Sequence, residues 1–207
     1  ALQQSADSQQ ARCRAWLAAL DYPKKAFEAV QADDWIGLRT LSRLADAVVW
    51  DRLAARGHGA FASAFQQILL DERRPALIAE RPLAVGGTAV VAWDGGREAS
   101  RAVRRAIPLL QKADKVVVLT APHAMARPCD AARALDYLGG HGVTARAEVL
   151  PAIGEAGNLI LEAAALLDAR VLIAGAFGHP RLQRFIFGGT TQTLVDGPLS
   201  AALFLSH

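Results

Sequence analysis

VLIAGAFGHPRLQRFIFGGTTQT, residues 171–193, reads as a short buried strand, Val171 to Ala174, broken by Gly175 and Gly178. A nine-residue excursion, 179–187, leads to a second glycine pair, Gly188 and Gly189, and then to a threonine-rich segment able to start a helix. Glycine lets a backbone come close to a bound group, and the first amides of a helix have no partner inside it. A strand that runs through such a loop into a helix N-terminus suits a bound anion. The same spacing also fits an ordinary strand-to-helix loop with glycines at its turns.

The residues on either side decide the class of fold. TAVVAW (88–93) is an apolar run ended by Asp94, Gly95 and Gly96. Residues 97–112 put Ala99, Ala102, Val103, Ala106, Ile107 and Leu110 on one helical face, with Arg97, Arg101, Arg104 and Arg105 mostly on the other. Pro108 is expected to bend that helix near its end. KVVVLT (115–120) predicts the next strand, and 131–138 a helix closed by Gly139, Gly140, His141 and Gly142. A strand over 143–150 follows, then a helix over 155–167 with Leu159, Ile160, Ala163, Leu166 and Leu167 inward. After the glycine segment, a helix through Val195 and a strand over 201–205 close the series. Apolar strands alternating strictly with amphipathic helices imply an α/β fold, an open parallel five-stranded sheet flanked by helices. Ligands of such sheets bind beyond the carboxyl ends of the strands. Asp94 and Gly175 both end strands, so they are expected to share one crevice.

The first half is less regular. Residues 1–20 begin polar and become amphipathic through Ala11, Ala15, Trp16, Ala19 and Leu20, which predicts a helix ended by Tyr22 and Pro23. A short strand is expected over 27–30. Asp33 and Asp34 then favour a helix start, with Trp35, Leu38, Leu41 and Leu44 at helical spacing. Residues 46–50 suggest a buried strand, Phe61, Ala64, Phe65, Ile68 and Leu69 a helix, and 76–79 a last strand. Gly86 and Gly87 mark the expected boundary between a domain over 1–85 and another over 86–207. The halves also echo one another. Residues 46–50 echo 168–174, the helix over 61–70 echoes the one after Gly189, and 74–78 echo 197–205. Nothing in the first half corresponds to 88–120, so it is a second, partial copy, expected to lean on the second half or on further N-terminal residues.

Composition narrows the function. The 207 residues are 52% hydrophobic and 21% charged, as in a folded globular chain. A formal charge of +3 with a pI near 9.2 is spread through both halves, with no basic run interleaved with aromatics, so nucleic acid is not an expected partner. No apolar run approaches membrane-spanning length. Cys13 and Cys129 are isolated thiols, which fits a reducing cytoplasm.

With these residues in view, the sequence resembles the universal stress protein family in its tandem two-domain bacterial form. The family's nucleotide signature is Gly, two residues, Gly, nine residues, Gly, then Ser or Thr. Gly175, Gly178 and Gly188 fit that spacing, while Gly189 replaces the hydroxyl residue and Thr190 follows one place later. The likeness is strong over 87–207 and weak over 1–80, so no site is carried onto the first half. It implies a Rossmann-like sheet of the adenine-nucleotide alpha-hydrolase-like kind and a cytoplasmic stress-response module that binds ATP or a related adenine nucleotide, with magnesium accompanying it. Amides of Gly175, Gly178, Gly188 and Gly189 would hold the phosphates, with the Thr190 hydroxyl beside them. Asp94 would meet the base or ribose, and the main chain at Leu119 and Thr120 would border the adenine. Losing a side-chain hydrogen bond to a charged group at position 189 costs about 1.5–3 kcal/mol unless Thr190 replaces it.

Other groupings carry less. His179 and Arg181 lie within the excursion, where they could meet a phosphate or merely face solvent. His123, Cys129 and Asp130 lack metal-ligand spacing. No Ser-His-Asp or Cys-His arrangement is legible, so no catalytic residue is assigned, and hydrolysis of ATP would be weak at most. The competing function is a ligand-free interaction module. The apolar terminal strand would then pair either with 76–79 of the same chain or with a second copy in a homodimer.

Overall fold

The computed structural model describes residues 2–29, 35–80, 83, 86–122, 130–176, 189–199 and 201–207. In chain order the first half holds α1 (Leu2–Ala19), α2 (Trp35–Ser42), β1 (Val48–Trp50), α3 (Arg52–Ala55), α4 (Ala62–Leu70) and β2 (Ala76–Ile78). The second half holds β3 (Thr88–Ala92), α5 (Arg97–Leu110), β4 (Lys115–Thr120), α6 (Ala132–Gly140), β5 (Ala145–Val149), α7 (Ala156–Leu166), β6 (Ala169–Gly175), α8 (Gly189–Asp196) and β7 (Ala202–Ser206).

Among the described residues the strands form one seven-stranded sheet in the order β1-β2-β7-β6-β3-β4-β5. The five strands of the second half are parallel, as the apolar character of β3, β4, β6 and β7 predicts. β1 and β2 are parallel to each other, and β2 meets β7 antiparallel, with Ala76 opposite Leu205 and Ile78 opposite Leu203. β1, α4 and β2 thus repeat the connection of β6, α8 and β7, and the two units meet head to tail at the β2–β7 seam. β7 has neighbours on both sides, so neither of its edges is open.

Helices cover both faces. α5 and α6 press Ala102, Val103, Ala106, Ile107, Leu110, Ala134 and Leu138 onto one side. α3, α4, α7 and α8 cover the other, where Phe65, Ile68 and Leu69 share a cluster with Val90, Leu172, Leu194 and Leu203. That cluster draws on residues from both sides of Gly86. Arg97 and Arg104 stay exposed on α5, and the helix runs through Pro108 to Leu110.

Arginines tie the halves together. Arg52 donates from Nη1 to the Gly197 carbonyl at 3.0 Å and from Nη2 to that of Leu199 at 3.4 Å. Arg56 donates from Nη2 to the Asp196 carbonyl at 3.0 Å. Two cations from α3 therefore meet the carbonyl end of α8, where the helix dipole favours positive charge. On the opposite face Arg105 donates from Nη1 to the Arg73 carbonyl at 2.6 Å and to Ser206 Oγ at 2.9 Å. Burial first, and then the neighbouring Arg74, Arg101, Arg104 and Arg73, lower the pKa of Arg105 below its ordinary value.

Several expectations are corrected. No strand forms over 27–29, and residue 30 lies outside the described residues. In the second half, the matching strand β5 pairs with β4 alone. The first half has no counterpart of β4, so a strand there would have no ladder to join. The apolar stripe of α1 is exposed, Trp16 at 66%. Leu44 lies past the end of α2 and is 97% exposed. On α7, Ile160 is buried and Leu159, Ala163 and Leu167 pack against the core as expected, but Leu166 faces solvent, and Ala156, Gly157, Leu161 and Ala164 complete the buried set. That helix is apolar nearly all round, so periodicity cannot choose its face. Its packing on α8 does, since a Cβ on Gly157 would stand 2.6 Å from Thr193 Cβ.

The short helix α3 was not expected from the sequence. Asp51 Oδ1 accepts from the Ala54 amide at 2.7 Å and caps it. Replacing Asp51 with Ala is expected to cost about 1 kcal/mol of stability, to be read from the urea midpoint. Asp51→Asn should recover most of that loss.

Candidate functional site

Parallel pairing brings several strand ends of the second half to one rim. Ala92 of β3 stands opposite Leu119 of β4, Thr120 opposite Val149, and Gly175 opposite Ser206. Val91 pairs with Ile173, so Gly175 follows two residues on, beside the turn after β3. Asp94 lies in that turn. Its exposed carboxylate accepts the Gly96 amide at Oδ1, 2.8 Å away. Gly95 has a φ of 71°, the left-handed region that glycine enters without strain. Gly96 then caps α5, and the buried Glu98 sits in the first turn of that helix, where the dipole favours a carboxylate.

Gly175 has a packing reason to be glycine. A Cβ there would lie 2.5 Å from the Ala99 amide nitrogen and 2.7 Å from the Glu98 carbonyl carbon. The end of β6 thus runs against the backbone of the first turn of α5. Leu119 and Thr120 are buried, and their carbonyls accept the amides of Trp93 at 2.8 Å and Leu150 at 2.7 Å. Gly189 and Thr190 open α8 and are exposed, with no described atom within 4 Å of where a Gly189 side chain would begin. Gly178 and Gly188 lie outside the described residues, as do His123, Cys129, His179 and Arg181. The rim therefore unites Asp94, Leu119, Thr120 and Gly175, while Gly189 and Thr190 stand at the entrance to α8.

Sequence reasoning did not single out His207. Its Nδ1 lies 3.0 Å from the Ala176 carbonyl, where the glycine segment leaves the sheet. The signal was the parallel pairing of a terminal strand with β6. Trp93 ends the apolar run that forms β3. It is half-buried, and its Nε1 donates to the Asp130 carbonyl at 3.3 Å, which turns the ring toward α6.

The described part of the rim offers an exposed carboxylate beside a glycine turn and the first residues of α8, a helix N-terminus of the kind that receives anions. Among the described residues no group of three His, Cys, Asp or Glu side chains is placed to hold a metal ion. No helix of the described residues is long and apolar enough to cross a membrane.

No family model matches the sequence, and no curated protein matches it. Solved structures do match the fold. A universal stress protein from Archaeoglobus fulgidus superposes with a TM-score of 0.72 at 16% identity, over 99% of this chain and 76% of that one. A putative universal stress protein from Pseudomonas aeruginosa covers 99% of this chain and 77% of its own, with a TM-score of 0.50 at 15% identity. The sheet and its helical layers are those of the universal stress protein fold.

Proposed function

We infer that this chain is a universal stress protein of the tandem kind, with a partial copy over 1–85 and a complete one over 86–207, and that it binds ATP or a related adenine nucleotide. The observation that carries the nucleotide reading is the convergence of Asp94, Thr120 and Gly175 on one rim of the sheet. The glycine spacing of the sequence adds to it, and the start of α8 supplies amides for an anion.

When bound, ATP supplies a polyphosphate for main-chain amides to hold. The amides of Gly175 and Gly189 and the hydroxyl of Thr190 would take that role, joined by Gly178 and Gly188 of the signature. Asp94 would meet the ribose or base, and the main chain at Leu119 and Thr120 would border the adenine. Magnesium would accompany the phosphates. Binding, rather than turnover, is the proposed activity, in a cytoplasmic stress-response module. The competing reading is a ligand-free module that pairs sheet edges. It would have to use β1 or β5, because both sides of β7 are filled within the chain.

Calorimetric titration with ATP, with and without magnesium, tests the proposal. Saturable heat is expected from the unaltered chain. Gly189→Glu fits the open space and suits a helix N-terminus, so it should fold normally. Its carboxylate would repel phosphate and weaken ATP by about tenfold or more. Absence of saturable heat in the unaltered protein would remove the nucleotide from the reading and leave the fold assignment standing.

A further inference from the structure

A groove opens between α5 and α6 beyond the end of β3, next to the turn that carries Asp94, with Gly95 and Ser100 on its near side. It is open to solvent on one side and offers about 250 Å³. Trp93 and Tyr137 line it as aromatic walls, with the buried Val103 beneath them. Both rings are held in place. Trp93 donates to the Asp130 carbonyl, and Tyr137 is packed against His141 with ring centroids 4.3 Å apart. Arg104 from α5 and Arg133 from α6 border the same cavity. Both are exposed, and among the described residues neither makes an ion pair. Among the described residues no carboxylate side chain lines the space.

We propose that this groove binds a small aromatic anion, a single ring carrying a phosphate or carboxylate. Two flat side chains offer stacking surfaces to a ring. Two guanidinium groups on separate helices offer forked donors that match the oxygens of such an anion. The volume is below the roughly 300–1,000 Å³ of sites for drug-sized molecules, which limits the ligand to about one ring. An adenine nucleotide is too large for it; the groove adjoins the proposed rim through Trp93 and Gly95, while Asp94 is not among its described lining residues.

Phenyl phosphate is the probe. In 15N-labelled protein the indole signals of Trp16, Trp35, Trp50 and Trp93 report separately, and loss of one signal in Trp93→Phe assigns it. The Trp93 signal should shift saturably with phenyl phosphate while that of the buried Trp50 stays in place. The double variant Arg104→Gln with Arg133→Gln should weaken the probe by about tenfold or more. Both side chains are exposed, so its melting temperature should match that of the unaltered chain. Benzyl alcohol and inorganic phosphate, each lacking half of the recognised chemistry, should shift Trp93 far less. A saturating excess of ATP should leave the titration unchanged. The proposal is overturned if Trp93 does not respond, if the double variant binds equally well, if inorganic phosphate shifts Trp93 as strongly, or if ATP displaces the probe.

Discussion

Gly175→Ala should lower the melting temperature by about 6–12 °C. The added methyl group would stand 2.5 Å from the Ala99 nitrogen and 2.7 Å from the Glu98 carbonyl carbon. Both are backbone atoms, and neither can turn aside as a flexible side chain would. Relief requires the first turn of α5 to lift from β6, or β6 to shift against β3 and β7, the strands paired on either side of it. Overpacking of this kind costs about 3 kcal/mol, and in a chain of this size each kcal/mol moves the melting point by about 2–4 °C. Gly175→Val should be worse. A melting point within about 2 °C of the parent would show that the approach of strand and helix is looser than described. The same displacement would carry Asp94 with it, because its turn leads directly into α5. Loss of ATP affinity in Gly175→Ala should therefore accompany its loss of stability.

Phe65→Ala is expected to cost about 3–5 kcal/mol. The Phe65 ring is fully buried on α4 and stands edge-on to Trp50 of β1, with centroids 5.6 Å apart and planes at 89°. Its cluster continues into Leu172, Leu194 and Leu203 of the second half. The cavity left behind would thus weaken a core that both halves share. Unfolding by urea should remain one transition with an earlier midpoint. Two separated transitions, with only the first displaced, would show that residues 35–80 unfold independently.

The second half was legible because most of its strands are apolar runs bounded by glycine or charge; the edge strand β5, ARAEV, is the exception. The predicted strand over 115–120 coincides with β4, and the face assigned to α5 is the face buried. Legibility failed where neighbours decide the outcome. The face of α7 depends on α8, and residues 27–29 need a partner strand that the sequence pattern cannot supply. The short α3 gave one local signal, Asp51 before Arg52, too slight to read as a helix. For the site, strand ends at a common rim followed from topology alone, which is how Asp94 and Gly175 were grouped. The steric demand on Gly175 was hidden, since it comes from residues almost eighty positions earlier. The groove at Trp93 was hidden for the same reason, being shaped by two helices that the sequence holds apart.

The reversal at the β2–β7 seam has a mechanical consequence. The carboxyl ends of β1 and β2 open on the side of the sheet opposite Asp94 and Gly175. A displacement passing between the two halves would cross three facing residue pairs, Ala76 with Leu205, Leu77 with Phe204 and Ile78 with Leu203, flanked by the tethers from Arg52, Arg56 and Arg105.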